Sequence, residues 1–78
     1  MANNIVFSKD VPQSIPQGNY VFDVKPGNGT VTLQIDGGNG YGAVANGSFT
    51  NATTDGIYLP NCMMKAGLTG NATFELFQ

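Results

Sequence analysis

Few side chains in this sequence could act as an acid, a base or a nucleophile. The chain holds five carboxylates and one thiol, and it has no histidine. The carboxylates are Asp10, Asp23, Asp36, Asp55 and Glu75, and the thiol is Cys62. Histidine is the usual general base and the commonest metal ligand in proteins. Without it, neither a cysteine–histidine nucleophile nor a histidine metal centre can form.

The positions of the carboxylates favour structural roles over catalysis. A glycosidase-type site needs two carboxyl groups that face each other across a cleft. Asp23 and Glu75 are predicted on the solvent faces of strands, and Asp36 and Asp55 stand beside glycines, where turns are common. Residues 36–40 lack the spaced acidic ligands of a calcium loop and the following helix of a phosphate-binding loop. We therefore expect a protein that is not an enzyme and has no catalytic residue, metal or cofactor.

The surface is predicted to be polar but almost uncharged. Only 10% of the 78 residues are charged and the net charge is -2, so binding to nucleic acid is not expected. Nine asparagines and seven threonines supply the polarity instead. Because net charge keeps monomers apart, such a surface suits a protein covered by copies of itself or by a partner. A small monomer with a thin polar surface is the alternative.

The short length also favours association with copies of the chain or with a partner. A core of this size rarely supplies more than ~3–5 kcal/mol without disulfides, metal or oligomerisation. One cysteine cannot form an internal disulfide, so oligomerisation is the expected source of further stability. We expect no secretory signal, because residues 1–9 contain neither a basic nor an apolar segment, and no membrane span, because no apolar run is long enough; synthesis in a cytoplasm is therefore expected.

The spacing of apolar residues predicts an all-β fold. Apolar residues alternate with polar ones in four long segments, at 20–24, 31–35, 62–68 and 73–77. Segments rich in glycine, proline and asparagine separate the strands, and we interpret 26–29 and 36–40 as hairpin turns and 46–47 as a third turn. The pattern is typical of a small antiparallel β-sandwich or barrel, jelly-roll-like or immunoglobulin-like.

Residues 9–19 differ from the rest of the chain. We predict an N-terminal arm and proline-containing linker over residues 1–19, followed by a β-sandwich domain over residues 20–78. Pro12 and Pro16 exclude a central strand between them. Residues 9–19 are either a simple surface loop or a linker that lets an N-terminal strand pair with a neighbouring subunit. The residues of such an arm are Ile5, Val6 and Phe7.

Apolar residues on the second face of a strand are the best sequence indication of a contact between subunits. Met63 and Met64 must point to opposite faces, and Val21 and Phe77 lie opposite the apolar faces of their own strands. We predict Met63 and Phe77 as interface residues; coverage by a loop or at a sandwich edge is the alternative. Further candidates are two tyrosines near turns, suited to a glycan or rim contact: Tyr41 and Tyr58.

Three segments resemble a known group of proteins. They are 29–35 (GTVTLQI), 56–60 (GIYLP) and 66–73 (AGLTGNAT). This part of the chain, residues 20–78, resembles small β-sandwich domains of tailed-bacteriophage structural proteins, which occur as capsid decoration (cement) proteins, head fibres and tail accessory domains. Many of these domains carry a tryptophan where this chain has Tyr41 and an arginine near the position of Lys65.

The resemblance implies a virion protein, made in the host cytoplasm, that binds the assembled phage head in many copies and stabilises it without catalysis. The expected partners are the major capsid protein and copies of the chain itself, with a trimer favoured and neither nucleic acid nor a membrane involved. A tail or head-fibre module that binds host surface glycans is the first alternative. A monomeric β-module with a flat threonine face, as in antifreeze proteins, is the second.

Overall fold

The structure, a computed structural model, describes residues 4–78 and consists of eight β-strands. The strands are β1 (Asn4–Val6), β2 (Gln13–Ile15), β3 (Gly18–Lys25), β4 (Val31–Asp36), β5 (Tyr41–Phe49), β6 (Thr53–Leu59), β7 (Cys62–Leu68) and β8 (Thr73–Phe77). The prediction of an all-β fold is confirmed. Over the described range, the structure contains no helix that could cross a membrane.

The strands form two antiparallel sheets that pack face to face. Sheet A has the order β1-β8-β3-β6 and sheet B has the order β2-β7-β4-β5. Among the described strands, β4 and β5 are the one consecutive pair that lies in a single sheet; every other connection crosses between the sheets. This strand order is that of an eight-stranded jelly roll, not of an immunoglobulin sandwich.

The crossing connections correct one sequence interpretation. The turn at 26–29 forms as predicted, with the Gly29 N–H donating to the Pro26 carbonyl at 2.9 Å. It does not close a hairpin, because β3 belongs to sheet A and β4 to sheet B. Both strands have an apolar face, and stacking the two faces across the core buries more apolar surface than pairing the strands side by side. The turn at 36–40 does close a hairpin, since β4 pairs with β5.

The core lies between the sheets and is apolar throughout the described residues. Val24, Val31, Met64 and Leu76 have no solvent exposure. Four phenylalanines form a chain of ring contacts across the core, with centroid distances of 5.1, 6.3 and 5.5 Å. In order along that chain they are Phe7, Phe74, Phe22 and Phe49.

The N-terminal segment is part of the sandwich in this structure. β1 pairs with β8 of the same chain, and Phe7 is a core residue with 4% of its surface exposed. Ile5 is half-buried and packs against the core, whereas Val6 points outward. The predicted boundary at residue 19 is therefore not seen, because β1 and β2 each complete one of the two sheets. Sequence reasoning correctly excluded a central strand near Pro12 and Pro16, since β2 is an edge strand.

Two loops at one end of the sandwich are joined by reciprocal hydrogen bonds. The Asn28 N–H donates to the Asn71 side-chain oxygen at 2.8 Å, and the Asn71 N–H donates to the Asn28 side-chain oxygen at 3.0 Å. The Thr30 N–H donates to the Thr69 hydroxyl at 2.7 Å, and the Thr69 N–H donates to the Thr30 carbonyl at 3.0 Å. These contacts extend the β4–β7 ladder into the loops. The asparagines and threonines in these two loops therefore stabilise the fold.

Candidate interaction surfaces

The outer face of sheet A carries a band of apolar side chains. Phe77 lies directly opposite Val21, Val6 lies diagonal to Phe77, and Tyr58 lies diagonal to Val21. Diagonal neighbours in a sheet are within reach of aromatic side chains. Exposure is 64% for Val6, 43% for Val21 and 55% for Tyr58, while Phe77 is half-buried. We call these four residues the outer apolar band; they cross all four strands of sheet A.

Gly56 shapes the middle of this band. It lies on β6 directly opposite Val21 and between Thr54 and Tyr58 on the outer face. Because glycine has no side chain, the surface between Val21 and Tyr58 is recessed. The band is therefore an uneven apolar surface, and a partner that covers it can insert side chains there.

Met63 lies on the other side of the molecule, on the outer face of sheet B. It is 38% exposed, while its neighbour Met64 is fully buried, so the predicted opposite orientation of the two methionines is confirmed. Its cross-strand neighbours are Ser14 and Asp36, which are polar. Met63 therefore does not share a surface with Phe77, and the two predicted interface residues mark different faces of the sandwich.

The two tyrosines predicted at a glycan or rim contact are also separated. Tyr41 lies on the outer face of sheet B, where the Lys65 ammonium sits 4.4 Å from the centre of its ring. Tyr58 lies on the outer face of sheet A and its hydroxyl accepts a hydrogen bond from the Gln17 side chain at 2.6 Å. The structure thus does not bring them together into one platform. Exposed strand threonines are likewise divided between the sheets, with Thr32 on sheet B and Thr54 on sheet A.

A cleft opens between β5 and β6, at the side of the sandwich where the two sheets separate. Its volume is about 300 Å³. The floor is apolar and includes Phe22, Leu33 and Phe49, and the polar groups at its rim come from Asn46 and Asp55. An apolar cleft of this size with a few polar groups fits a small ligand or one ring of a larger one.

A bulge in β5 forms one wall of this cleft. Ala43 pairs with Gln34 and Ser48 pairs with Thr32, so the four residues 44–47 stand opposite Leu33 alone. Sequence analysis interpreted 46–47 as a turn between two strands. The structure instead shows one continuous strand with an insertion, a feature often found next to binding sites.

The bulge holds Asn46 in a left-handed conformation with φ of 57°. Asparagine tolerates this region better than most residues, but glycine adopts it with less strain. The following residue must be small, because a Cβ on Gly47 would lie 2.8 Å from the Val44 carbonyl oxygen. A glycine at position 46 would therefore fit the bulge equally well. The backbone conformation alone does not explain why an asparagine side chain lies at the rim of the cleft.

Other side chains that could react are Asp23, Glu75 and Cys62. Asp23 and Glu75 lie opposite each other in sheet A, and Asp23 contacts the Lys25 ammonium at 3.4 Å and the Thr54 hydroxyl at 3.1 Å. Burial raises the pKa of the Cys62 thiol, which keeps it protonated at neutral pH. Within residues 4–78, no three side chains of histidine, cysteine, aspartate or glutamate are placed to hold a metal ion.

Sequence reasoning missed the cleft because its residues come from distant segments. The neighbouring glycine predicts a turn at Asp55, but Asp55 lies within β6 and lines the cleft. The same prediction is correct for Asp36, which lies at the turn between β4 and β5 and accepts hydrogen bonds from the N–H groups of Gly38 and Gly40. The one available signal was alternation, which places Asp55 on the same face as Ile57 and Leu59.

Comparison with known proteins gives no relative for this chain. No protein-family model, no curated protein and no solved structure matches it. What the chain does is therefore inferred from its jelly-roll fold and its surfaces.

Proposed function

We propose that this protein is a non-catalytic virion protein, a small jelly-roll decoration protein that binds the assembled head of a tailed bacteriophage in many copies and stabilises it. The outer apolar band on sheet A carries this proposal. It leaves Val6, Val21 and Tyr58 open to solvent in a chain that has little charge to keep molecules apart. The jelly roll is also a recurrent architecture of viral capsid domains.

The proposed mechanism is passive. Each copy would bury the outer apolar band on the major capsid protein, and the added interface would oppose expansion or loss of capsid subunits. Each fully buried Val side chain contributes ~1.5–3 kcal/mol by removal from water, so a few such contacts repeated over many copies suffice. The trimer expected from the sequence stays a prediction.

Val21→Asp is expected to weaken particle binding at least about tenfold, because it places a charge in the centre of the buried surface. The measurement is co-sedimentation of the purified chain with expanded heads of the phage that encodes it. Thr32→Asp is the matched control, since it adds the same charge to an exposed strand position on sheet B. Equal binding by the two variants, or no binding by the native chain, would rule out the proposed surface.

The cleft between β5 and β6 favours a second candidate function, the binding of host surface glycans. Carboxylate and amide groups bind sugar hydroxyls, and an aromatic ring such as that of the partly buried Phe49 packs against the apolar face of a sugar. Asp55 and Asn46 supply these polar groups at the rim. This candidate uses residues other than the tyrosines from which a glycan contact was first predicted.

Asn46→Gly separates a binding role of Asn46 from a structural one. We expect the free energy of unfolding to stay level or rise by up to ~1 kcal/mol, because glycine relieves the left-handed strain. If the amide binds sugar, affinity on a glycan array falls about tenfold while the protein stays folded. Asn39→Gly, in the hairpin turn outside the cleft, is the control. A native chain that binds no glycan excludes this candidate.

A further inference from the structure

Among the described strands, four lie at sheet edges, and three of these are poorly suited to pairing with another chain. Within residues 4–78, β1 and β2 each span three residues, and Pro12 and Pro16 flank β2. β5 carries the bulge at 44–47. Short strands, prolines and bulges are devices that protect sheet edges from other chains. The fourth edge strand, β6, has seven residues, and its sequence contains no proline or lysine.

The hydrogen-bond pattern of sheet A shows which backbone groups of β6 face outward. The Phe7 N–H donates to the Phe74 carbonyl at 3.1 Å, so the backbone N–H and carbonyl of Phe74 point toward β1. Because these groups alternate in direction along a strand, those of Phe77, three residues later, point toward β3. Phe77 pairs with Val21, which therefore bonds to β8 and not to β6. Gly56, which lies opposite Val21 on β6, consequently points its N–H and carbonyl away from the sheet. The residues two positions away on either side share this orientation; they are Thr54 and Tyr58.

We propose that β6 is a self-association edge at which two copies of the chain pair antiparallel across a twofold axis at Gly56. In this register, Thr54 of one copy faces Tyr58 of the second copy, and the two Gly56 residues face each other. All three outward-pointing residues then find partners, and about six backbone hydrogen bonds form. The edge is thus complementary to itself, as a twofold interface requires.

The side chains of β6 are compatible with this register. Gly56 places no side chain at the axis, where two copies of one residue must meet. On the outer face, Thr54 pairs with the aromatic ring of Tyr58 from the second copy, which is a favourable cross-strand combination. On the inner face, Asp55 lies opposite Ile57 of the second copy, so the two carboxylates occupy diagonal positions and do not oppose each other directly.

Asp55 restrains the association. In the single chain, its carboxylate accepts the Gly56 N–H at 2.8 Å, which occupies the central donor of the edge. Pairing requires the carboxylate to turn away and brings two negative charges closer together. The contact is therefore weak in dilute solution and favoured where copies are concentrated.

Pairing at β6 would join two copies of sheet A into one eight-stranded sheet. The outer apolar bands of both copies would then lie on one continuous face, because Tyr58 belongs to the band and also to the paired edge. The self-association does not depend on the proposed virion role and uses the sheet edge instead of the sheet face. It predicts a dimer, whereas the sequence resemblance implies a trimer.

Thr54→Pro tests the proposal, because it removes an outward N–H and leaves the hydrogen bonds to β3 in place. Thr54→Val is the matched control, since both variants lose the contact of the Thr54 hydroxyl with Asp23 but valine keeps the N–H.

The measurements are sedimentation up to about 1 mM chain, and amide hydrogen exchange at Thr54, Gly56 and Tyr58. We expect a monomer–dimer equilibrium with protection of these amides that rises with concentration. Thr54→Pro should lower the association constant of the dimer about tenfold, and Thr54→Val should leave this constant nearly unchanged.

Asp55→Ala is expected to raise the association constant severalfold, because it frees the Gly56 N–H and removes the charge. A native chain that stays monomeric up to about 1 mM would overturn the proposal. So would a dimer or trimer whose mass and amide protection Thr54→Pro leaves unchanged while circular dichroism shows that this variant is folded. An unchanged association constant in Asp55→Ala would show that Asp55 does not restrain the edge.

Discussion

Phe7→Ala is expected to unfold most of the protein at room temperature. Phe7 is 4% exposed and its ring lies 5.1 Å from that of Phe74, at one end of the phenylalanine chain through the core. Truncating a buried phenylalanine costs ~3–5 kcal/mol, and a chain of this size rarely has more than that in total. Circular dichroism and urea denaturation measure the loss. Deleting residues 1–8 should have the same result, because it removes β1 as well.

Val6→Ala is the matched control for this prediction. Val6 is the neighbouring residue on β1, but it is 64% exposed, so its truncation should change the free energy of unfolding by less than ~0.5 kcal/mol. A Phe7→Ala variant with the native urea midpoint would contradict the position of Phe7 in the core of its own chain. It would instead favour the sequence interpretation of residues 5–7 as an arm that pairs with a neighbour.

Gly29→Ala is expected to destabilise the fold by ~3 kcal/mol or more, although it adds a single methyl group. A Cβ at this position would lie 1.8 Å from the Thr69 carbonyl oxygen, which is backbone and cannot move independently. Relief requires the two loops to separate, and that breaks the reciprocal bonds between Asn28 and Asn71. Overpacking costs ~1–3 kcal/mol and occasionally more, and the lost loop contacts place this substitution at the upper end.

Gly37→Ala provides the comparison. Gly37 lies in the exposed turn between β4 and β5, and a Cβ there meets no described atom within 4 Å. Its substitution should leave stability unchanged or raise it by up to ~1 kcal/mol, because alanine restricts the unfolded chain. Thermal unfolding of both variants measures the difference. Similar melting temperatures would show that the two loops are not in close contact.

These expectations separate stability from assembly. Phe7 and Gly29 act within one chain, whereas the outer apolar band and the β6 edge concern contacts between molecules. Val21→Asp and Thr54→Pro should therefore weaken association without unfolding the chain, while Phe7→Ala should abolish both. A chain of this size with an uncovered apolar band combines modest intrinsic stability with a surface that gains from being buried.

The local pattern of the sequence was sufficient to predict the strands β3, β4, β7 and β8 and their inward faces, but not β2 or the continuity of β5. The alternation at Val31 and Leu33, and at Phe74 and Leu76, predicts which side chains are buried, because side-chain direction in a strand depends only on local geometry. The same rule placed Met63 and Met64 on opposite faces. The prolines around β2 excluded a central strand for a reason that is also local, the missing N–H.

Only the tertiary structure decided how the strands combine. A turn sequence such as 26–29 fits a hairpin and an arch between sheets equally well, and the choice depends on apolar faces far apart in the chain. For the same reason, Phe7 belongs to the core and not to a free arm: its partner Phe74 is distant in sequence. The separation of Tyr41 from Tyr58, the bulge at Asn46 and the outward groups of β6 all follow from sheet order. Sheet order is set by long-range burial and pairing, which no local pattern encodes.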